Sequence, residues 1–330
     1  MGAERPVLFV NLASGGGKAV RAGILEEARG RGIEVVVLSP GRSLADLVSE
    51  AVAAGADVLG MAGGDGSLAA VASAAVENDL PFVCVPAGTR NHFALDLGID
   101  RQEVVRSLDA FQSGLERRID VAEVNGRVFL NNVSLGVYGE AVRQEAYRDA
   151  KLRTLVATAA DVLQSSTVSG LRLVDDMGRV HADPALVLVS NNPYAVEPPQ
   201  PPGTRAALDG GRLGIVVVDR PPAGGPPWRA WAASTFEVTG PAPLHAGVDG
   251  EAVELEPPLR FAVRPAALRV RVARSWLGGS GATARVSAVA AAGDRVGASS
   301  MFESKGEEQC PRSTTWWWFG SRSRARPTRR

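Results

Sequence analysis

Asp57-Val58-Leu59-Gly60-Met61-Ala62-Gly63-Gly64-Asp65-Gly66-Ser67-Leu68-Ala69-Ala70-Val71-Ala72 runs from an apolar segment, through a turn with three glycines around one carboxylate, into a helix-like segment. It reads as strand, loop and helix. Glycines let backbone N–H groups come close to an anion, and a helix that follows directs its positive end at that anion. The stretch therefore reads as a phosphate cradle. Asp65 is placed to hold a magnesium ion against the phosphates, because carboxylates are that ion's usual protein ligands. Ser67 is expected both to cap the helix and to face a nucleotide.

On either side of this stretch the same alternation continues. Short β-branched runs at 7–10, 33–38, 58–61 and 82–85 alternate with amphipathic segments at 19–31, 44–54 and 68–78. Such alternation predicts a doubly wound α/β domain, a parallel sheet covered on both faces, with ligands beyond the carboxyl ends of its strands. From about residue 119 the pattern changes to successive apolar strands, at 128–133, 171–174, 185–189, 213–218, 235–238, 259–263 and 268–272. These predict a mostly antiparallel, β-sandwich-like second domain, interrupted by a helix at 140–163 and a Pro-rich loop at 197–203. The expected division is residues 1–120 for the α/β domain, 121–274 for the β-rich domain, and 275–330 as a disordered basic tail. That tail carries Trp316-Trp317-Trp318 and six arginines from Arg312 onward. Trp with Arg suits the edge of an anionic bilayer, although a biased tail without a role accounts for the same composition.

Composition narrows the partners. Lysine plus arginine equals aspartate plus glutamate, 36 each, so no basic excess argues for nucleic acid. Cys84 lies in an apolar run and Cys310 in a polar one, which argues against a disulfide framework and for a reducing cytoplasm. No apolar stretch approaches the roughly 20 residues that span a bilayer. If the chain meets lipid, it is expected to do so from the surface. His181 and His245 stand apart from other ligand types and read as surface or satisfied core histidines. Oligomeric state stays open, a dimer included.

Two more loops fall at strand ends. Asn11-Leu12-Ala13-Ser14-Gly15-Gly16-Gly17-Lys18 is a glycine-rich strand-to-helix turn, a frequent anion site and an equally frequent tight turn. It has neither P-loop nor dinucleotide-fold spacing. Pro86-Ala87-Gly88-Thr89-Arg90-Asn91-His92-Phe93-Ala94 supplies a glycine, a hydroxyl and an amide together. Together with the loop at Asp65, it closes a site from two sides.

These residues resemble the diacylglycerol kinase catalytic-domain family, which includes bacterial lipid kinases and sphingosine kinases. The likeness covers roughly residues 5–273. Asn11 to Lys18 is similar to the family's N-P-x-S-G-x-G-K start, Gly63 to Ser67 to its G-G-D-G-T loop, and residues 86–98 to its P-x-G-T-x-N-D-F-A-R-x-L-G-I segment. Phe129-Leu130-Asn131 with Ser134-Leu135-Gly136 resembles the F-x-N…G opening of the second domain, and Val248-Asp249-Gly250-Glu251 the late D-G-E motif.

The resemblance implies transfer of the γ-phosphoryl group of ATP to a lipid hydroxyl, with Mg2+, in a cleft between two domains. It assigns Asn11, Ser14, Gly15, Gly17 and Lys18, Gly63 to Ser67, and Gly88, Thr89 and Asn91 to the nucleotide, with Ser39 facing it too. Glu251 would take the hydroxyl proton, with Asp249 shaping the site or holding the metal. On its own, a D-G-E is also an ordinary hairpin turn.

Several positions depart from the family pattern. Ser67 replaces threonine, Ala69 and Ala70 replace a polar Asn-Glu pair, and His92 replaces an aspartate. An imidazole cannot stand in for a carboxylate on magnesium. Asp209 lies beside Gly210, at the position where some relatives place the aspartate of a second, structural magnesium. Two other readings stay open: a kinase of a soluble acceptor, as in NAD kinases, and a nucleotide- or lipid-binding relative without transfer activity.

Overall fold

The structure is a computed structural model and describes residues 4–136, 170–195, 205–220 and 228–277. The segments expected as a helix at 140–163, a loop at 197–203 and most of the tail lie outside the described residues. Four parallel strands open the first sheet: β1 (Pro6–Val10), β2 (Glu34–Val37), β3 (Val58–Gly63) and β4 (Phe82–Pro86), in the order β2-β1-β3-β4. β1, β3 and β4 are buried along their whole length. Strands covered on both faces become unbroken apolar runs of this kind.

The helices lie on both faces of this sheet. The expected helix at 19–31 is broken into α1 (Lys18–Arg21) and α2 (Ile24–Gly30), because Gly23 takes a left-handed conformation, φ 65°. Helix α3 (Leu44–Ala53) starts at Ser43, whose Oγ accepts from the Asp46 N–H. α4 (Asp65–Glu77), α5 (His92–Asp96) and α6 (Asp109–Ser113) complete the set. Phe9, Leu59, Met61, Phe82 and Phe93 pack on one face of the sheet with Leu68 and Val71 of α4. Leu8, Val83, Val85, Ile24 and Phe111 pack on the other. Truncating one of these phenylalanines to alanine would cost about 3–5 kcal/mol.

The remaining strands follow in order: β5 (Gly114–Val124), β6 (Arg127–Phe129), β7 (Asn132–Gly136), β8 (Arg172–Val174), β9 (Val180–Ala182), β10 (Leu186–Asn191), β11 (Leu213–Val218), β12 (Trp228–Ala233), β13 (Thr235–Val238), β14 (Leu244–Val248), β15 (Glu251–Leu255) and β16 (Leu259–Ala273). A short helix, α7 (Arg274–Leu277), follows. β16 corrects the sequence reading. Instead of separate strands at 259–263 and 268–272, it is one strand with a register shift between Arg264 and Leu268. Pro265 has no N–H for the ladder, and Ala266, at φ 52°, turns its own N–H to the buried carboxylate of Asp120, 2.9 Å away.

β16 also joins the two parts of the molecule. It pairs in parallel with β4 through Val270↔Phe82 and antiparallel with β5, so the first sheet runs β2-β1-β3-β4-β16-β5-β6, with β13 added on β16. The expected limit at residue 120 falls inside β5. A second, antiparallel sheet, β12-β11-β10-β7-β14-β15, faces the far end of the first. Between them Phe129, Phe236, Phe261, Val133, Val187, Ile215 and Val248 form a shared core. The β8–β9 hairpin is tied down by His181, which is buried between Asp219 (2.8 Å) and Asp175 (3.2 Å) and stacked on Trp231. His181 is thus a satisfied core histidine.

Candidate active site

Three turns meet at the carboxyl ends of β1, β3 and β4. The helix after the G-G-D-G loop starts one residue after Gly64, its N-cap, so Ser67 sits in the first turn and is not the cap expected from sequence. Gly88 lies so close to the G-G-D-G loop that a Cβ on it would come 2.5 Å from the Gly64 Cα and 3.0 Å from the Gly63 oxygen. Only glycine permits that approach. Gly15 lies against Ala87 and Gly88 in turn, and Ser14 Oγ is 4.0 Å from where a Gly64 Cβ would sit. Loops one, two and three are therefore stacked on one another.

Asn91 locks the third loop to the second. It is fully buried, takes a left-handed conformation at φ 46°, and donates its Nδ2 to the Gly63 carbonyl at 2.7 Å. Its Oδ1 is buried without a hydrogen-bond partner. A buried acceptor left unpaired costs about 1–3 kcal/mol, so its persistence marks a place where a donor or cation belongs. The Asp65 carboxylate accepts the N–H groups of His92 and Phe93, both at 3.2 Å, at the start of α5. A lone carboxylate thus ties the second loop to the third.

The opposite wall comes from the second sheet. Val248 pairs with Glu251, which leaves Asp249 and Gly250 as a two-residue hairpin turn with φ 49° and 87°. Two positive φ values in succession are the type I′ turn that fits the strand twist. The side chain of Asp249 points inward and accepts the N–H groups of Leu130 (2.9 Å), Asn131 (2.8 Å) and Asn132 (3.1 Å). Burial pushes its carboxyl up to about 7, against the pull of those three donors and with the nearby Asp65 charge adding to the rise. Asp249 therefore shapes the turn. Glu251, exposed, reaches across to the G-G-D-G helix start, where a Cβ on Gly66 would overlap its carboxylate. Glu251, Asp249, Val248, Gly66, Ala69, Ala70, Ser73 and the Gly126-Arg127-Val128 segment line a cleft of about 300 Å³.

A buried network connects the two walls. Arg205, with no side-chain exposure, forms an ion pair with Asp96 of α5 at 2.6 Å and donates to the carbonyls of Leu130 (2.6 Å) and Asn191 (2.8 Å). It also reaches Asn131 Oδ1 at 3.1 Å and lies under the ring of Tyr194, whose hydroxyl accepts from Asn132 Nδ2. Burial pushes the Tyr194 hydroxyl up to about 12. α5 thus presents its start to Asp65 and its end to Arg205, which holds the segment that Asp249 also holds. Sequence reading missed Arg205, Asp96 and Tyr194. Their only signal was charged or polar side chains beside apolar runs, and their partners lie far along the chain.

Other predicted positions lie elsewhere. Ser39 is exposed just beyond β2, and Thr89 is exposed on the third loop. Asn11 Oδ1 accepts the Ala13 N–H within its own turn, and Gly17 is the N-cap of α1. Lys18 donates its ammonium to the Arg101 carbonyl, and burial, with Arg101 nearby, lowers its pKa. Asp209 is exposed, while the loop it occupies is held by Gly211 N–H on Asp120 (2.6 Å) and Gly210 N–H on Asn192 Oδ1 (2.9 Å). Among the described residues no group of three His, Cys, Asp or Glu side chains is placed to hold a metal. Cys84 is a free, buried thiol that burial pushes well above its ordinary pKa.

The sequence pattern of the diacylglycerol kinase catalytic domain matches residues 5–124. The "Diacylglycerol kinase" of Bacillus subtilis strain 168 is 33% identical over 110 residues, 33% of this chain and 35% of that protein. The "Probable lipid kinase YegS-like" of Pseudomonas aeruginosa PAO1 is 32% identical over 154 residues, 46% of this chain and 50% of that protein. The chain thus aligns with a third to a half of the length of these curated relatives. A crystal structure of a diacylglycerol kinase from Bacillus anthracis str. Sterne superposes with a TM-score of 0.58 at 17% identity, over 83% of this chain and 98% of that one. Residues 5–124 are thus similar in sequence to the diacylglycerol kinase catalytic domain, and the parallel first sheet with its antiparallel second sheet is a fold shared with a bacterial diacylglycerol kinase.

Proposed function

We propose that this chain is an ATP-dependent lipid kinase that transfers the γ-phosphoryl group of ATP to a lipid hydroxyl. The contact of Glu251 with Gly66 carries the reading, because it sets a carboxylate from the second sheet against the helix start that would hold the phosphates. Phosphoryl transfer asks a protein chiefly to position groups and neutralise charge. The stacked loops at Gly15, Gly64 and Gly88 would offer backbone N–H groups to the phosphates. Glu251 would take the proton of the acceptor hydroxyl as its oxygen bonds to the γ-phosphorus. The bond from that phosphorus to the β,γ-bridging oxygen breaks, and ADP leaves with the oxygen.

The residues fit magnesium carried on the nucleotide. Such an ion uses one or two carboxylates and keeps phosphate and water as its other ligands. Asp65 would be its protein ligand, with the unpaired Asn91 Oδ1 as a second acceptor nearby. When bound, the ion would neutralise charge building on the transferring oxygens. Asp209 is not matched by a second acid in its loop, so a structural magnesium there is not part of the proposal.

The division at about residue 120 then separates an ATP side from a lipid-substrate side. Among the described residues no helix is long and apolar enough to cross a membrane. The proposed site of action is the cytoplasmic membrane surface, reached peripherally. The test is incubation of the purified chain with labelled ATP, magnesium and a bacterial lipid extract. A labelled lipid product that disappears in Glu251→Gln is the expected result. Label transferred only to water-soluble acceptors such as NAD would move the assignment to a soluble substrate. ATP binding without transfer to any acceptor would favour a binding relative, which Ala70 and His92 also favour.

A further inference from the structure

We propose that Arg127 forms an oxyanion subsite, in which its guanidinium binds phosphate-type oxygens presented in the cleft beside Glu251. The inference rests on the phosphoryl-transfer reading of that cleft. Arg127 begins β6 after a second tight turn: Val124 pairs with Arg127, and Asn125 and Gly126 between them have φ 48° and 81°. This turn is clamped to the start of β16. Asn125 N–H donates to the Arg260 carbonyl at 3.0 Å, its Oδ1 accepts the Arg260 N–H at 2.8 Å, and its Nδ2 donates to the Glu256 carbonyl at 2.9 Å. The base of the Arg127 side chain is therefore fixed.

Among the described residues the head of that side chain has no hydrogen-bond or ion-pair partner, whereas Arg205, Arg260 and Arg269 each bind a carboxylate. It lines the cleft with Asp249 and Glu251, and it is the cation of that lining. Across from it, α4 presents Gly66, Ala69, Ala70 and Ser73 to the cleft, one face at helical spacing, and Glu77 a turn further on accepts the Ser73 hydroxyl at 3.3 Å. Small side chains leave room there. Two carboxylates alone would repel an anion, and a planar guanidinium binds phosphate oxygens through two parallel N–H groups.

Two sources offer that chemistry: the nucleotide's phosphates and an anionic group on the acceptor lipid. Calorimetry with ADP and with inorganic phosphate, and flotation with phosphatidylglycerol against phosphatidylcholine vesicles, separate them in the wild type, Arg127→Gln and Arg127→Lys. A loss of about tenfold or more in ADP or phosphate affinity in Arg127→Gln, smaller in Arg127→Lys, places the nucleotide on Arg127. A loss confined to phosphatidylglycerol vesicles places the acceptor there. Unchanged affinity in every arm, with an unfolding midpoint equal to the wild type, overturns the subsite. A wild-type chain that yields no phosphorylated lipid sinks the kinase reading separately, since the binding arms need no turnover.

Discussion

The two walls of the cleft are built on different principles. The wall proposed to hold the nucleotide, the nucleotide wall, consists of turns from parallel strands into helices, and the groups it offers are backbone amides brought together by glycines at van der Waals limits. The facing wall consists of two tight hairpin turns in antiparallel strands, at Asn125-Gly126 and Asp249-Gly250, and the groups it offers are the side chains that follow, Arg127 and Glu251. The first wall depends on the absence of atoms, the second on their chemical identity. Substitutions should therefore act on the first through volume and on the second through charge.

The largest expected effect is on the second wall. Glu251→Gln keeps the shape and removes the proposed base, and should lower kcat by about 10²- to 10⁴-fold in the lipid-extract assay while leaving ADP affinity within a few-fold. An equal loss of ADP affinity would show that the carboxylate serves the nucleotide instead. Gly66→Ala, tolerated by helix propensity, should push Glu251 aside and cost about 10²-fold in kcat. Wild-type activity in that variant would break the link between the walls.

Arg205→Met should destabilise the fold by about 3–5 kcal/mol in denaturant unfolding, because Asp96 is left as a buried charge without its partner. A loss below about 1 kcal/mol would show that the network is dispensable. The smallest effect concerns pH. Asp249 rises from its ordinary 3.8 to about 7 on folding, so its protonated form is favoured in the folded state. The stability it contributes is complete below about pH 4 and is lost as pH rises through about 7. The Tm gap between wild type and Asp249→Asn should therefore shift against the wild type from pH 4 to pH 8, and a constant gap would refute the inward charge.

The nucleotide wall was legible in the sequence because its signals are local. Strand, glycines and helix follow each other within residues 57–72, and the β-strands buried on both faces announce themselves as apolar runs. The second wall was legible only as motifs. Asp249 is held by N–H groups more than a hundred residues away, which no local pattern encodes. His181 finds Asp219 in the same way, across 38 positions. β16 was read as two strands because Pro265 interrupts the pattern, whereas a bulge lets one strand pass through it. Edge strand β12, Trp228-Arg229-Ala230-Trp231-Ala232-Ala233, lacks β-branched residues and gives no strong signal.

β16, the outer neighbour of β4 in the first sheet, is almost the last described segment of the chain. β4 gains its outer neighbour only from residues 270–271, whereas the matched catalytic-domain pattern ends at Val124. During synthesis from the N-terminus, β4 stays a bare edge until some 145 further residues have been added to that point. The β4–β16 pairing joins strands farther apart in sequence than any other strand pair among the described residues, a slow step by chain entropy. The edge of the sheet that carries the three stacked loops is thus covered only when residues 270–271 arrive.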